Sequence, residues 1–195
     1  MTVSLVTITP PASEPVSLSE AMVHLRVDAP ASGPHPEAAL IETLISAARA
    51  HVEAETNRAL ITQTLEARWD AWRDVLELPR APVQSVTSVT YVDEAGATQT
   101  LAGSAYRADV AGLVARVTPA FDTAWPAARA VTGAVAVRFV AGYGAAAAVP
   151  APLKAAMLLL IGHLYENRSA ATERALTEAP FAVGALINPY RVPWL

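Results

Sequence analysis

The chain has 195 residues, 53% hydrophobic and 16% charged, with a formal net charge of −4. That size fits one compact domain, or one domain carrying a sizeable insertion, and the composition excludes a mainly disordered protein. The lack of cysteine excludes disulfides, thiol nucleophiles and thiolate metal sites, and the acidic balance argues against a nucleic-acid binder with a basic face. The acid is unevenly placed: residues 1–60 carry seven acids and three arginines, residues 61–149 eight and seven, and the remainder three acids and four bases. Lys154 is the only lysine, so the excess of arginine and alanine points to GC-rich coding more than to chemistry.

The opening MTVSLVTITPP has neither a positive start nor a long apolar run, which predicts no signal peptide. Residues 1–16 read as a proline-rich extended arm. SLSE at 17–20 is a capping-box pattern, with Ser17 as cap and Glu20 returning the bond, and it opens a short helix that Asp28 and Pro30 end. After the loop at 29–36, PEAALIETLISAARAHVEAETNRAL repeats Leu40, Leu44, Ala48 and Val52 every fourth residue, with Ile41 and Ile45 broadening the stripe. Asn57 is a plausible stop. The period then changes to two: Ile61, Gln63, Leu65, Ala67 and Trp69 alternate with Thr62, Thr64, Glu66 and Arg68. Residues 61–143 read as about six short antiparallel strands in a small sheet or sandwich, with a hairpin turn at Asp93–Gly96. Pro150 and Pro152 precede a helix over 153–168 that is apolar nearly all round. The rest reads as a short helix up to Glu178 and extended chain to NPYRVPWL. The whole is α+β: two N-terminal helices and a C-terminal helix form one body, with an inserted antiparallel sheet over 61–145 and a tail at 186–195.

The pattern search for chemistry yields no catalytic, cofactor-binding or metal set. Gly142-Tyr143-Gly144 follows a strand and fits a loose nucleotide-loop pattern. The prolines push the next helix past the glycines, however, and no parallel β-α-β unit surrounds it. A turn is the better reading of these glycines, and a small nucleotide-binding enzyme is kept as an alternative. His24, His35, His51 and His163 form no HExxH. The helix neighbours His51/Glu55 and His163/Glu166 have ligand spacing but lack further ligands. Ser104 lacks the strand–turn–helix setting of a nucleophile elbow, and Glu53 and Glu55 point to different sides of a helix. No segment approaches the roughly 18 apolar residues of a membrane span, so a soluble chain made inside the cell is expected.

Three features exceed what a simple monomer needs: the oily helix LKAAMLLLIGHLYENR, the long acidic helix, and the aromatic, proline-set ending. The oily helix is equally readable as the centre of a monomer core, and the ending as a strap on its own body or a peptide docked on another protein. A monomeric β-rich tail module is therefore a second alternative.

The layout also resembles a family. LSEAMVHLRVD, the long helix LIETLISAARAHVEAETNRAL, WD within a β stretch, VPAPLKAAMLLLIGHLYENR and the ending LINPYRVPWL are similar, in order and spacing, to the head–tail connector (adaptor) proteins of long-tailed phages and of gene transfer agents. The matching positions are Pro150, Leu153, Ala156, Tyr165 and Arg168, then Leu186, Pro189, Tyr190 and Arg191. The resemblance implies a non-enzymatic, cofactor-free structural protein in the neck of a virion or phage-like particle, assembled in the bacterial cytoplasm. It implies a ring of copies, expected to be a dodecamer, between the portal protein and the next neck protein. DNA would pass through without specific binding, and no membrane would be involved. On this reading Leu40, Leu44, Ile45, Leu158, Ile161, Leu164 and Tyr165 pack the body and subunit seams. Tyr190, Arg191, Pro193, Trp194 and Leu195 dock on the portal, and Glu37, Glu42, Glu53 and Glu55 face the channel.

Overall fold

The structure is a computed structural model and describes residues 3–28, 33, 35–167 and 181–193. It is mixed α and β and divides into two compact units, one of strands and one of helices. The strand unit comprises residues 1–12, 57–143 and 192–195; the helical unit comprises 13–56 and 144–191.

In the strand unit, β1 (Ser4–Thr9), β2 (Gln63–Trp69), β8 (Val135–Ala141), β4 (Val83–Val92) and β5 (Thr98–Thr100) form a five-stranded sheet in that spatial order. A second sheet orders β3 (Leu76–Leu78), β7 (Ala115–Pro119) and β6 (Tyr106–Asp109). Every pairing is antiparallel. The alternation in β2 sends Gln63, Leu65, Ala67 and Trp69 inward, and β8 answers with Val135, Val137, Phe139 and Ala141 in register. These residues share one core with Leu76, Leu78, Ala115 and Val117 of the smaller sheet. Apolar residues at period two are what allow two sheets to hide one face each.

Several expectations are corrected here. The predicted N-terminal arm is a strand from Ser4 to Thr9, because its β-branched residues pair with β2. Between 61 and 143 there are seven strands rather than six. The hairpin turn falls where expected, Tyr91 pairing with Gln99 and Val92 with Thr98. Asp93 stabilises it: its carboxylate accepts from Gln99 and from the Ala97 N–H, and these bonds hold its pKa below the usual range.

In the helical unit, α1 (Leu18–Leu25) opens on the expected capping box. The Glu20 N–H donates to Ser17 Oγ at 3.1 Å and the Ser17 N–H to Glu20 Oε2 at 2.7 Å. The helix stops at Leu25, short of Asp28, because Arg26 turns left-handed (φ 56°) and its N–H closes onto Met22 and Val23. Helix α2 runs Ala38–Thr56, and Asn57 ends it at φ 52°, as its tolerance of that conformation predicts. Its buried line is Ile41, Ile45, Ala48, Val52 and Thr56; Leu40 and Leu44, placed on the stripe by sequence, are only half-buried. A strict four-residue step drifts off a 3.6-residue helix, and the mixed steps of three and four stay on it. Helix α3 (Ala151–Glu166) buries Leu153, Ala156, Met157, Leu160 and Ile161 against α2, α1 and α4 (Phe181–Ile187). The N- and C-terminal helices therefore meet. The extended tail expected from 186 is corrected as well: α4 reaches Ile187 and a 3₁₀ turn carries Asn188–Tyr190. The helix expected up to Glu178 lies outside the described residues, as do Arg168, Trp194 and Leu195.

Candidate assembly surfaces

The glycine loop is a packing device. Gly142 adopts φ 125°, and a Cβ there would lie 2.4 Å from the Ile61 carbonyl oxygen. Its N–H donates to Pro82 O and the Tyr143 N–H to Leu60 O, so the strand end is stitched to two neighbouring segments. Gln84 Nε2 closes the arrangement with bonds of 2.8 Å to Gly142 O and 2.9 Å to Thr62 Oγ1. Only glycine permits that approach. The Gly142 and Tyr143 amide groups face protein backbone, and α3 begins only after Pro150.

A groove in the strand unit, about 790 Å³, is lined by Asp70, Trp72, Ala128, Arg129, Val131 and neighbours. Trp72 stacks on Trp125 with ring centroids 4.4 Å apart and planes at 6°, and Trp125 Nε1 donates to Arg73 O at 2.7 Å. Asp70 accepts the Gly133 N–H at 2.8 Å. These contacts fasten the 120–133 segment, and the lining offers no nucleophile paired with a base. Among the described residues no three metal-ligating side chains converge, and no helix is long and apolar enough to cross a membrane.

Charge is arranged for cohesion. Glu66, buried on the outer face of the large sheet, receives Nε and Nη2 of Arg68 on Oε1 and Nε and Nη2 of Arg138 on Oε2. Burial pushes its pKa up, but the bonds from Arg138 and Arg68 outweigh that and hold it below the usual range. Charge-assisted bonds are worth about 1.5–3 kcal/mol each, enough to offset partial desolvation. In the helical unit, Arg49 bridges Glu14 at 2.7 Å and Glu53 at 3.0 Å. Burial alone would lower the Arg49 pKa; the two carboxylates raise it. Lys154 reaches Glu20 at 2.9 Å, Tyr165 Oη donates to Glu37, and Arg191 pairs with Glu55.

Against this geometry the seven body-and-seam residues separate. Ile45 and Ile161 are fully inside the helical unit, whereas Leu40, Leu44, Leu158, Leu164 and Tyr165 are half-buried and keep apolar surface outward. The four channel candidates also separate. Glu42 and Glu55 are exposed and Glu37 is half-buried, but Glu53 is 8% exposed beneath Arg49, so its charge is already matched within the subunit. In the tail, Val192 is buried and Arg191 is engaged by Glu55. The sequence reading did not find the Glu66 cage. Its one signal was a glutamate flanked by arginine in a strand, and the second arginine arrives only through the β2–β8 register.

The geometry defines a mixed α and β chain that leaves apolar side chains such as Val6, Ile8, Val23 and Phe121 outward and pairs its buried carboxylates Glu53 and Glu66 internally. No family model matches the chain, and no curated protein matches it. Solved structures do. A chain in the neck of an empty gene transfer agent (GTA) particle, computed with C6 symmetry, is 30% identical over 100% of this chain and 97% of that one, with a TM-score of 0.80. A chain in the virion of a native GTA particle is 29% identical over 98% and 96%, with a TM-score of 0.78. A chain in the neck of a native GTA particle, computed with C12 symmetry, is 30% identical over 100% and 97%, with a TM-score of 0.72. The chain belongs to the head–tail connector, or neck, proteins of tailed phages and gene transfer agents.

Proposed function

We propose that this chain is a structural, non-enzymatic component of the neck of a virion or GTA-like particle, acting as a ring of copies, expected to be twelve, that joins head to tail and leaves a passage for DNA. The observation that carries the reading is full-length similarity to chains of GTA necks computed with cyclic symmetry. Cyclic closure needs heterologous surfaces on each subunit, and half-buried Leu40, Leu44, Leu158, Leu164 and Tyr165 supply apolar area for one. Covering a leucine completely is worth about 1.5–3 kcal/mol, so partly exposed residues retain a fraction of that for a neighbour.

The ring sits between the portal protein and the next neck protein, and it assembles in the bacterial cytoplasm. Tyr190, Arg191, Pro193, Trp194 and Leu195 form the portal-docking segment, and docking requires Arg191 to exchange Glu55 for a partner's group. The passage is lined by acid so that phosphates are not held. Of the four candidates, Glu42 and Glu55 have the exposed side chains to do this. Electron microscopy of the chain mixed with its portal tests the reading. A ring stacked on the portal is expected, and loss of that ring on removing residues 188–195. A chain that stays single beside an assembled portal overturns it. Stabilisation by a nucleotide in a thermal-shift screen would instead favour the enzyme alternative.

A further inference from the structure

The two sheets treat their edges differently. The small sheet ends in β3, which carries Glu77, and in β6, which carries Arg107 and Asp109. Charged side chains on an edge are how soluble proteins discourage another strand from adding on. The large sheet ends in β1, Ser4-Leu5-Val6-Thr7-Ile8-Thr9, and in β5, Thr98-Gln99-Thr100. Neither has a charge or a proline, and among the described residues neither has a strand on its outer side. Val6 and Ile8 are 37% and 39% exposed, and β1 pairs in unbroken register from Ser4 to Thr7 before its bulge. Uncharged, β-branched edges on one sheet, beside charged edges on the other, mark the large sheet as the one built to be extended.

We propose that β5 of one copy pairs with β1 of the next, so that the large sheets join edge to edge around the ring; this rests on the ring reading above. The occupant is a second copy because the two open edges lie on opposite sides of one sheet, which is the arrangement head-to-tail closure needs. Two-fold pairing of β1 with itself would close at a dimer, and it does not generate the sixfold and twelvefold symmetries with which the related necks were computed. The direction of the joint follows from topology. Four antiparallel steps separate β1 from β5, so they run the same way, and continuing the sheet from one copy to the next makes the new pair parallel. The three residues of β5 limit the ladder to a few bonds. The joint is therefore weak alone and depends on repetition around the ring and on the apolar helix surface.

The natural chain has no cysteine, so the joint can be trapped cleanly. Neighbouring strands lie about 4.8 Å apart, within disulfide reach. Val6→Cys is combined in the full-length chain with Thr98→Cys, Gln99→Cys or Thr100→Cys in turn. Rings confirmed by electron microscopy are oxidised and run on a denaturing gel without reductant. At least one pair is expected to give a ladder extending beyond dimer, with no crosslink from any single variant. Rings that give no ladder with any pair, or a dimer from Val6→Cys alone, overturn the proposal and leave the ring reading standing. Absence of rings in the unsubstituted chain on its portal removes the ring reading, and this proposal with it. A second variant, Val6→Lys, should melt like the unsubstituted monomer yet lose the ring; rings that survive it count against the joint.

Discussion

The strand unit and the helical unit solve burial in different ways. The strand unit keeps a core between two sheets, with Phe139, Val137, Val89 and Leu76 fully inside, yet Val6, Ile8, Leu113 and Phe121 lie exposed on an edge strand and loops. The helical unit has a central helix apolar on nearly every side, yet Leu158, Leu159, Leu164 and Tyr165 stay half-buried. Both units leave apolar surface partly wet, the strand unit on an edge strand and loops, the helical unit along its central helix. The lesson is that hydrophobic content by itself does not tell a core from a contact surface: the arrangement of the neighbours does.

Four measurements would break or sharpen that contrast. The largest effect is expected from Phe139→Ala, which empties the centre of the strand unit and should cost about 3–5 kcal/mol in chemical unfolding. A cost near zero would mean that Phe139 is not the centre of that core. Gly142→Ala should follow at about 2–4 kcal/mol, since it combines a left-handed φ with a clash against the Ile61 carbonyl. In the helical unit, Ser17→Ala removes the α1 cap and should cost about 1 kcal/mol by the same assay.

The smallest effect is a pH dependence. The Ser17 N–H, then the Lys154 ammonium, hold the Glu20 pKa at about 2 against an ordinary 4.5. A depressed carboxyl stabilises the fold fully above its unfolded value and loses that contribution as pH falls from about 4.5 toward 2. Because Glu20 is half exposed, solvent screens the effect, and only a small shift in Tm is expected. Glu20→Gln should melt slightly below the unsubstituted chain near pH 6, and the gap should shrink as pH falls through 4.5 and close only near and below pH 2.

How much of this was legible in sequence follows from the range of each interaction. The α1 cap, the Asn57 stop, the β2 alternation and the 93–96 hairpin rest on residues within a few positions of each other, and all four are present. The misses depend on distant partners. Ser4–Thr9 is a strand only because β2 lies alongside it. The Glu66 cage needs Arg138, 72 residues away. Gly142 was read correctly as a turn ending a strand, but the reason it must be glycine, the Ile61 backbone, is a long-range neighbour. The tail was read as extended because its prolines favour that form, but Pro189 sits at the start of a 3₁₀ turn, where a fixed φ is compatible with a helical turn.

The placement of the indole rings has a practical consequence. Of four tryptophans, Trp69, Trp72 and Trp125 lie in the strand unit, two of them face to face, and none of the described residues of the helical unit is a tryptophan. Intrinsic emission and near-ultraviolet dichroism therefore follow the sheets, while the 222 nm band is dominated by the helices. Recording both along one denaturant titration would reveal whether the two units melt together or in sequence, without attaching any dye.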